Sequence, residues 1–180
     1  QPVGFGSSTP NTKAVTIVDQ DIHDIDFGKT TAMLDGCVYV DADDDGVKDA
    51  GETPIGSVAI VLTGSDIRGT VVNIPQNTDG VTGCYSYLGL LEGNYTVTET
   101  QPAAYDDGKD TAGSTGGQTT VNDVITQIPL ISAGESLQNN FGELYKGRIS
   151  GCVYADYDVS DVYNNPPDIV IPAVMIELQT

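Results

Sequence analysis

The chain has no tryptophan, a single histidine (His23), three cysteines and only 7 Lys plus Arg among its 180 residues. Each shortage excludes something. Against 26 Asp plus Glu the formal net charge is -19, a field that repels phosphate backbones and anionic head groups. Nucleic acids and membrane surfaces therefore lose their usual electrostatic attraction, and cations become the natural small partners. The only histidine falls in the N-terminal stretch, so the Ser and Cys residues of the complete repeat have no histidine base for triad-type nucleophilic catalysis, and no enzymatic activity is expected. No run approaches the ~20 apolar residues that span a bilayer, so no direct membrane insertion is expected. The N-terminal stretch also lacks the basic-then-apolar order of a secretory signal, which fits a processed or trimmed Gln1. What is abundant excludes long helices: 21 Gly and 9 Pro punctuate the chain, while 39% apolar residues suffice for a core.

The chain repeats itself. GCVYVDAD starting at Gly36 returns as GCVYADYD at Gly151, an offset of 115 positions that maps Cys37 onto Cys152 and Asp41 onto Asp156. PIGSVAIVL from Pro54 is echoed by IPAVMIEL from Ile171 once one residue is inserted, and IDFG ending at Gly28 resembles NNFG ending at Gly142. One full unit is thus expected over residues 29–144. Residues 1–28 read as the C-terminal strand remnant of a preceding repeat and 145–180 as the N-terminal part of a following one. Either the chain is a fragment of a longer array, or identical subunits complete each other head to tail.

Short alternating runs predict strands at 37–40, 57–63, 70–74, 84–90, 94–100 and 123–130, with Gly, Asp and Pro in nearly every gap. The expected fold is all-β, an immunoglobulin-like Greek-key β-sandwich with partial repeats at both ends. DDGKDTAGSTGG, Asp106 to Gly117, reads as a long polar loop.

The sharpest motif is DADDDGVKDAGE, Asp41 to Glu52, which fits the twelve-residue calcium-loop pattern D-x-[DN]-x-[DN]-G-x5-E without a mismatch. Asp41, Asp43 and Asp45 fill its first three ligand positions and Gly46 the sharp turn. Val47 offers a carbonyl, Asp49 acts directly or through water, and Glu52 chelates with both oxygens. Two carboxylates ~5 Å apart at an effective dielectric near 20 repel by roughly 3 kcal/mol. Six acids share these twelve residues with Lys48 alone to offset them, so Ca2+ is the expected ligand. The flanking strands make this a loop grafted between strands rather than a helical sensor. The second copy keeps Asp156 and Asp158 but has Ser160 for the third acid and Asp161 for the glycine. A calcium site there draws on Asp156, Asp158 and Asp161. Asp106, Asp107, Asp110 and Asp123 form another oxygen-rich candidate.

GCVYVDADDDGVKDAGETPI, GCYSYLGLLEGNYTVTETQP, YDDGKDTAG and NNFGE, in that order, resemble the SdrD B-like repeats of bacterial surface adhesins, relatives of the Cna B-type sandwich. The resemblance spans the complete repeat. It implies a Greek-key sandwich whose calcium ions stiffen a stalk or filament outside a bacterial cell, with neighbouring repeats or a host protein or glycan as partners. Wider Cna B-type members often carry a Lys to Asn isopeptide bond promoted by an acid in a motif like YTVTET. Here Glu99 holds that acid position, but the first strand has no lysine, and Lys29 and Lys48 lie outside it. Glu99 is expected to pair across strands or bind backbone, with no isopeptide bond.

The repeat also accounts for three cysteines. Each full unit holds one residue like Cys37 and one like Cys84, so Cys152 has its partner beyond the chain end or in another subunit. A Cys37 to Cys84 disulfide closes a loop of about 47 residues and adds on the order of 4 kcal/mol; two buried thiols are the alternative. Asn94 opens an N-Y-T sequon, relevant only where asparagine is glycosylated.

Overall fold

The structure is a computed structural model that describes residues 2–16 and 25–177; His23 lies outside the described residues. The chain divides into two compact units, residues 1–146 and 147–180. The first contains ten strands, β1 (Ala32–Val40), β2 (Ala59–Asp66), β3 (Val71–Asn77), β4 (Cys84–Leu90), β5 (Gly93–Glu99), β6 (Tyr105–Thr111), β7 (Gln118–Val121), β8 (Val124–Leu130), β9 (Glu135–Ser136) and β10 (Asn140–Tyr145). The second contains β11 (Tyr154–Ala155) and β12 (Ile169–Val170). There is no helix among the described residues, hence none long and apolar enough to cross a membrane.

The first unit is an immunoglobulin-like sandwich of two sheets. One runs β4-β1-β10-β6 with short β9 beside β1, and the other runs β3-β2-β5-β8-β7. The pairings are antiparallel except β1 with β10 and β1 with β9, which are parallel. Period-two alternation turns one face of each strand inward. Leu34 and Val38 on β1, Ile60 and Leu62 on β2, Tyr95 and Val97 on β5, Ile125 and Ile128 on β8 and Phe141 on β10 form the core. Burial of each such side chain stabilises the fold by roughly 1.5–3 kcal/mol. Cys37 sits directly opposite Cys84 in the β1/β4 register, with Cα atoms 3.9 Å apart, and the two form a disulfide. Cys152 is free and exposed.

Two sequence expectations change. Asp106 to Gly117 is not one long loop, because its first six residues belong to β6, which pairs antiparallel with β10. β6 is an edge strand, so a polar, glycine-containing run keeps its ladder bonds while exposing much of its surface. Strand β1 also starts at Ala32, five residues before the expected start at Cys37, since Ala32 and Leu34 continue the buried alternation. In the N-terminal stretch, Gly6 exchanges both backbone hydrogen bonds with Thr30, and the Glu92 N–H donates to the Gly4 carbonyl.

Candidate metal centre

The Asp41 loop leaves the end of β1 and returns at Thr53, whose carbonyl accepts from Val40 N–H. Asp41 is fully buried and organises the turn. Its Oδ1 accepts Asp45 N–H at 3.2 Å and its Oδ2 accepts Gly46 N–H at 2.7 Å. Gly46 has φ +85°, a left-handed conformation that favours glycine, and a Cβ there would make a tight 3.0 Å contact with Thr111 Oγ1. Glu52 closes the loop from the other end, accepting Ala42 N–H at 3.0 Å and Asp49 N–H at 2.8 Å. An ionised carboxylate has about four lone-pair sites, so one N–H per oxygen leaves room for a cation.

Oxygens of Asp41, Asp43 and Asp45 lie within 4.8 Å of one another. Oxygens sharing one Ca2+ at 2.3–2.6 Å are separated by at most about 5 Å, so this donor set fits a hard, oxygen-preferring cation. Asp43 is held above the ordinary carboxylate range, chiefly by the charge of Asp45. Tyr39, on the strand that feeds the loop, is fully buried with no partner for its hydroxyl. Burial and then the charge of Asp41 push that hydroxyl up. Lys48 Nζ stands 5.9 Å from the Tyr39 ring centroid. Val47 and Asp49 are exposed and contribute their N–H groups to Asp45 and Glu52.

The loop of the second unit copies this framework with other residues. Asp156 accepts Ser160 N–H at 3.2 Å and Asp161 N–H at 3.0 Å, as Asp41 does from Asp45 and Gly46. Asp168 accepts Tyr157 N–H at 3.0 Å and Asn164 N–H at 3.1 Å, which are the equivalents of Ala42 and Asp49. The three-carboxylate group there is Asp156, Asp158 and Asp168. Asp161 is not in it. Asp161 occupies the left-handed turn position of Gly46, with φ 60°, and is exposed. The one-residue insertion hid Asp168 as the counterpart of Glu52.

The Asp106, Asp107, Asp110 and Asp123 group is rearranged. Asp106 is exposed, because consecutive strand residues point to opposite faces, whereas Asp107 and Asp110 are half-buried. Asp110 Oδ2 accepts Asp123 N–H at 2.9 Å. The structure adds two acids to this region, Glu99 from β5 and Glu143 from β10, and groups their oxygens with Asp123. The expectation that Glu99 pairs across strands or binds backbone does not hold: it is 4% exposed and neither carboxylate oxygen has a hydrogen-bond partner. Burial, then Glu143 and Asp123, push its carboxyl up to about 10. Burial raises Asp110 to about 7, with Asp107 next among the raising influences, and raises Glu143 to about 7 against a hydrogen bond from Gln101. A period-two signal was present for Glu99, since Tyr95, Val97 and Glu99 alternate inward on β5, whereas on β10 burial is continuous from Asn140 to Glu143.

A two-sheet sandwich carrying an acidic twelve-residue loop at the end of its first strand is a repeat-type β-sandwich module. Residues 32–141 match the model of the SdrD B-like domain, and the chain belongs to that family. It is 31% identical over 141 residues to serine-aspartate repeat-containing protein F of Staphylococcus epidermidis, and 30% identical to the protein of that name from a second strain. The matches cover 76% of this chain but 8% of those proteins. Among solved structures, a minor pilin of Streptococcus agalactiae aligns with a TM-score of 0.38 at 15% identity, covering 66% of this chain and 47% of that one. The major plantain pollen allergen aligns with a TM-score of 0.37 at 14% identity, over 67% and 98% of the two chains.

Proposed function

We propose that the chain is a non-enzymatic structural module of an extracellular, cell-surface protein, stiffened by Ca2+ in the Asp41 loop and joined to neighbouring repeats in a stalk or filament. The observation that carries the reading is the Asp41, Asp43 and Asp45 group, three carboxylates on a preformed loop with oxygens within 4.8 Å of one another. Family membership supports a surface location. The second unit supports an array, because its loop repeats the first loop's hydrogen bonds at an offset of 115 residues.

A metal bound only by the folded state raises stability by about 4 kcal/mol when its free concentration is ~1,000 times its Kd. The test is a thermal melt of the chain in calcium and in chelator, beside Asp43→Ala/Glu52→Ala. A calcium-dependent rise in Tm that the double variant largely loses is the expected result. Equal calcium responses in both proteins would remove the loop from the mechanism.

A further inference from the structure

Five carboxylates from the two sheets act on one another. Glu99 ends β5 and Asp123 immediately precedes β8, both in one sheet, while Glu143 on β10 and Asp107 and Asp110 on β6 belong to the other. Glu99 N–H donates to the Asp123 carbonyl at 2.8 Å, which ties those two backbones together, and Glu143 is paired with Asp107 in the β10/β6 register. Glu143 is 1% exposed and Glu99 is 4% exposed. Gln101 donates to one oxygen of Glu143. Both oxygens of Glu99, and Oδ1 of Asp123, are buried and make no hydrogen bond, and the carboxyl groups that act on them most strongly are Glu143 and Asp107 respectively. The nearby cationic side chain, Lys109, is turned outward to the Asp44 carbonyl, with its Nζ 3.9 Å from Asp44 Oδ2.

Burying an ion without a counter-charge costs several kcal/mol even after relaxation, and here several acids are buried together. One oxygen each from Glu99, Asp123 and Glu143 lies within 4.8 Å of the others, inside the about 5 Å that two ligands of one calcium ion permit. The unpartnered Glu99 carboxyl points into that group from one sheet and Glu143 from the other. We propose that Glu99, Asp123 and Glu143 form an interior site for a hard divalent cation such as Ca2+, one that joins the two sheets and is separate from the Asp41 loop. The ion's two positive charges offset the mutual repulsion that holds these carboxyls up, and Asp107 and Asp110 add negative potential around it. The competing occupant is a proton shared within the group.

The inference shares a metal with the loop reading but not its ligands, so the two fail separately. In the full chain, Asp43→Ala, Glu52→Ala and Asp158→Ala together disable both loops. Calorimetric titration of that chain with calcium chloride is expected to retain one equivalent, and adding Glu99→Gln is expected to weaken it by about tenfold or more, since ligand charge sets affinity. Glu99→Gln in chelator is expected to melt at or above the parent temperature, because the amide, like the protonated acid, buries no charge, so lost binding is not lost folding. Should Glu99→Gln fail to fold, Glu143→Gln decides by the same criteria. No residual binding in the loop-disabled chain, or binding indifferent to the amide, would overturn the site in favour of the shared proton. Loss of the loop response alone, with the residual equivalent intact, would overturn only the loop reading.

Discussion

At one equivalent position the two loops have opposite electrostatics. Asp43 in the first is held above the ordinary carboxylate range, mainly by Asp45, whereas Asp158 in the second is held below it by hydrogen bonds from Asn164 and Ser160. The cause lies in two replacements. Ser160 stands where Asp45 is and Asn164 where Asp49 is, so two acids become neutral groups, one of which, Asn164 Nδ2, donates to Asp158 Oδ2 at 3.0 Å. The backbone framework is retained: Val159 and Asp161 keep the positive φ of Asp44 and Gly46. What distinguishes the loops is therefore a like charge beside Asp43 against neutral hydrogen-bond donors beside Asp158. In the second, Ser160 and Asn164 donate to Asp158; in the first, Asp43 faces the charge of Asp45 instead.

The largest test of that contrast is Asp41→Ala beside Asp156→Ala. Asp41 is buried and holds two N–H groups, and hydrogen bonds to a charged acceptor are worth about 1.5–3 kcal/mol each. We expect Asp41→Ala to destabilise the first unit by about 3 kcal/mol in chelator, by denaturant titration, and Asp156→Ala to leave that transition unmoved. Next comes exchange of the turn residues. Gly46→Asp forces a Cβ into a left-handed turn and against Thr111, with an expected loss of about 1–2 kcal/mol. Asp161→Gly should relax its own turn, read as slower amide exchange of Ser160 and Asp161. Equal penalties at both sites would break the comparison.

The third prediction uses pH. Glu99, Glu143 and Asp110 bind protons more tightly in the folded chain than in the unfolded one. Their contribution to stability is full below the unfolded carboxyl range, falls as pH passes about 7 and continues to fall toward about 10. In chelator the first unit should melt on the order of 5 °C lower at pH 8.5 than at pH 5.5, and calcium should shrink that gap. Asp158 has the opposite sign, so order in the second loop should decline as pH falls, followed by amide exchange at Ser160. The smallest expected effect is a gain. Ser160→Asp with Asn164→Asp should make amide protection in the second loop calcium-dependent, and unchanged protection would mean that the missing acids are not what separates the loops.

The sandwich and the first loop were legible because both rest on local signals, alternation in the strands and spacing in DADDDGVKDAGE. The second loop was legible only in part. Asp156 and Asp158 keep their offset, but the insertion before Asp168 shifts the closing acid out of register, and only the shared pattern of N–H acceptance reveals it. Glu99 was misread, and Glu143 passed over, for a different reason. An acid in an inward-facing strand position contradicts the burial rule that makes strands readable, and the partner that gives it meaning lies on the other sheet, 44 positions away in sequence. β6 was missed because an edge strand made of Asp, Gly and Lys has none of the composition that marks strands.

The parallel pairing of β1 with β10 puts the first and last long strands of the sandwich side by side, joined at Val38 to Phe141, Tyr39 to Gly142 and Val40 to Glu143. Tension entering ahead of Ala32 and leaving beyond Tyr145 would pull these neighbours lengthwise past each other. The bonds between them would then be sheared together rather than peeled one at a time. The Cys37 to Cys84 link would meanwhile prevent β1 from sliding out of the sheet on its other side. The same topology that closes the fold thus makes its weakest direction one that end-to-end traction does not address.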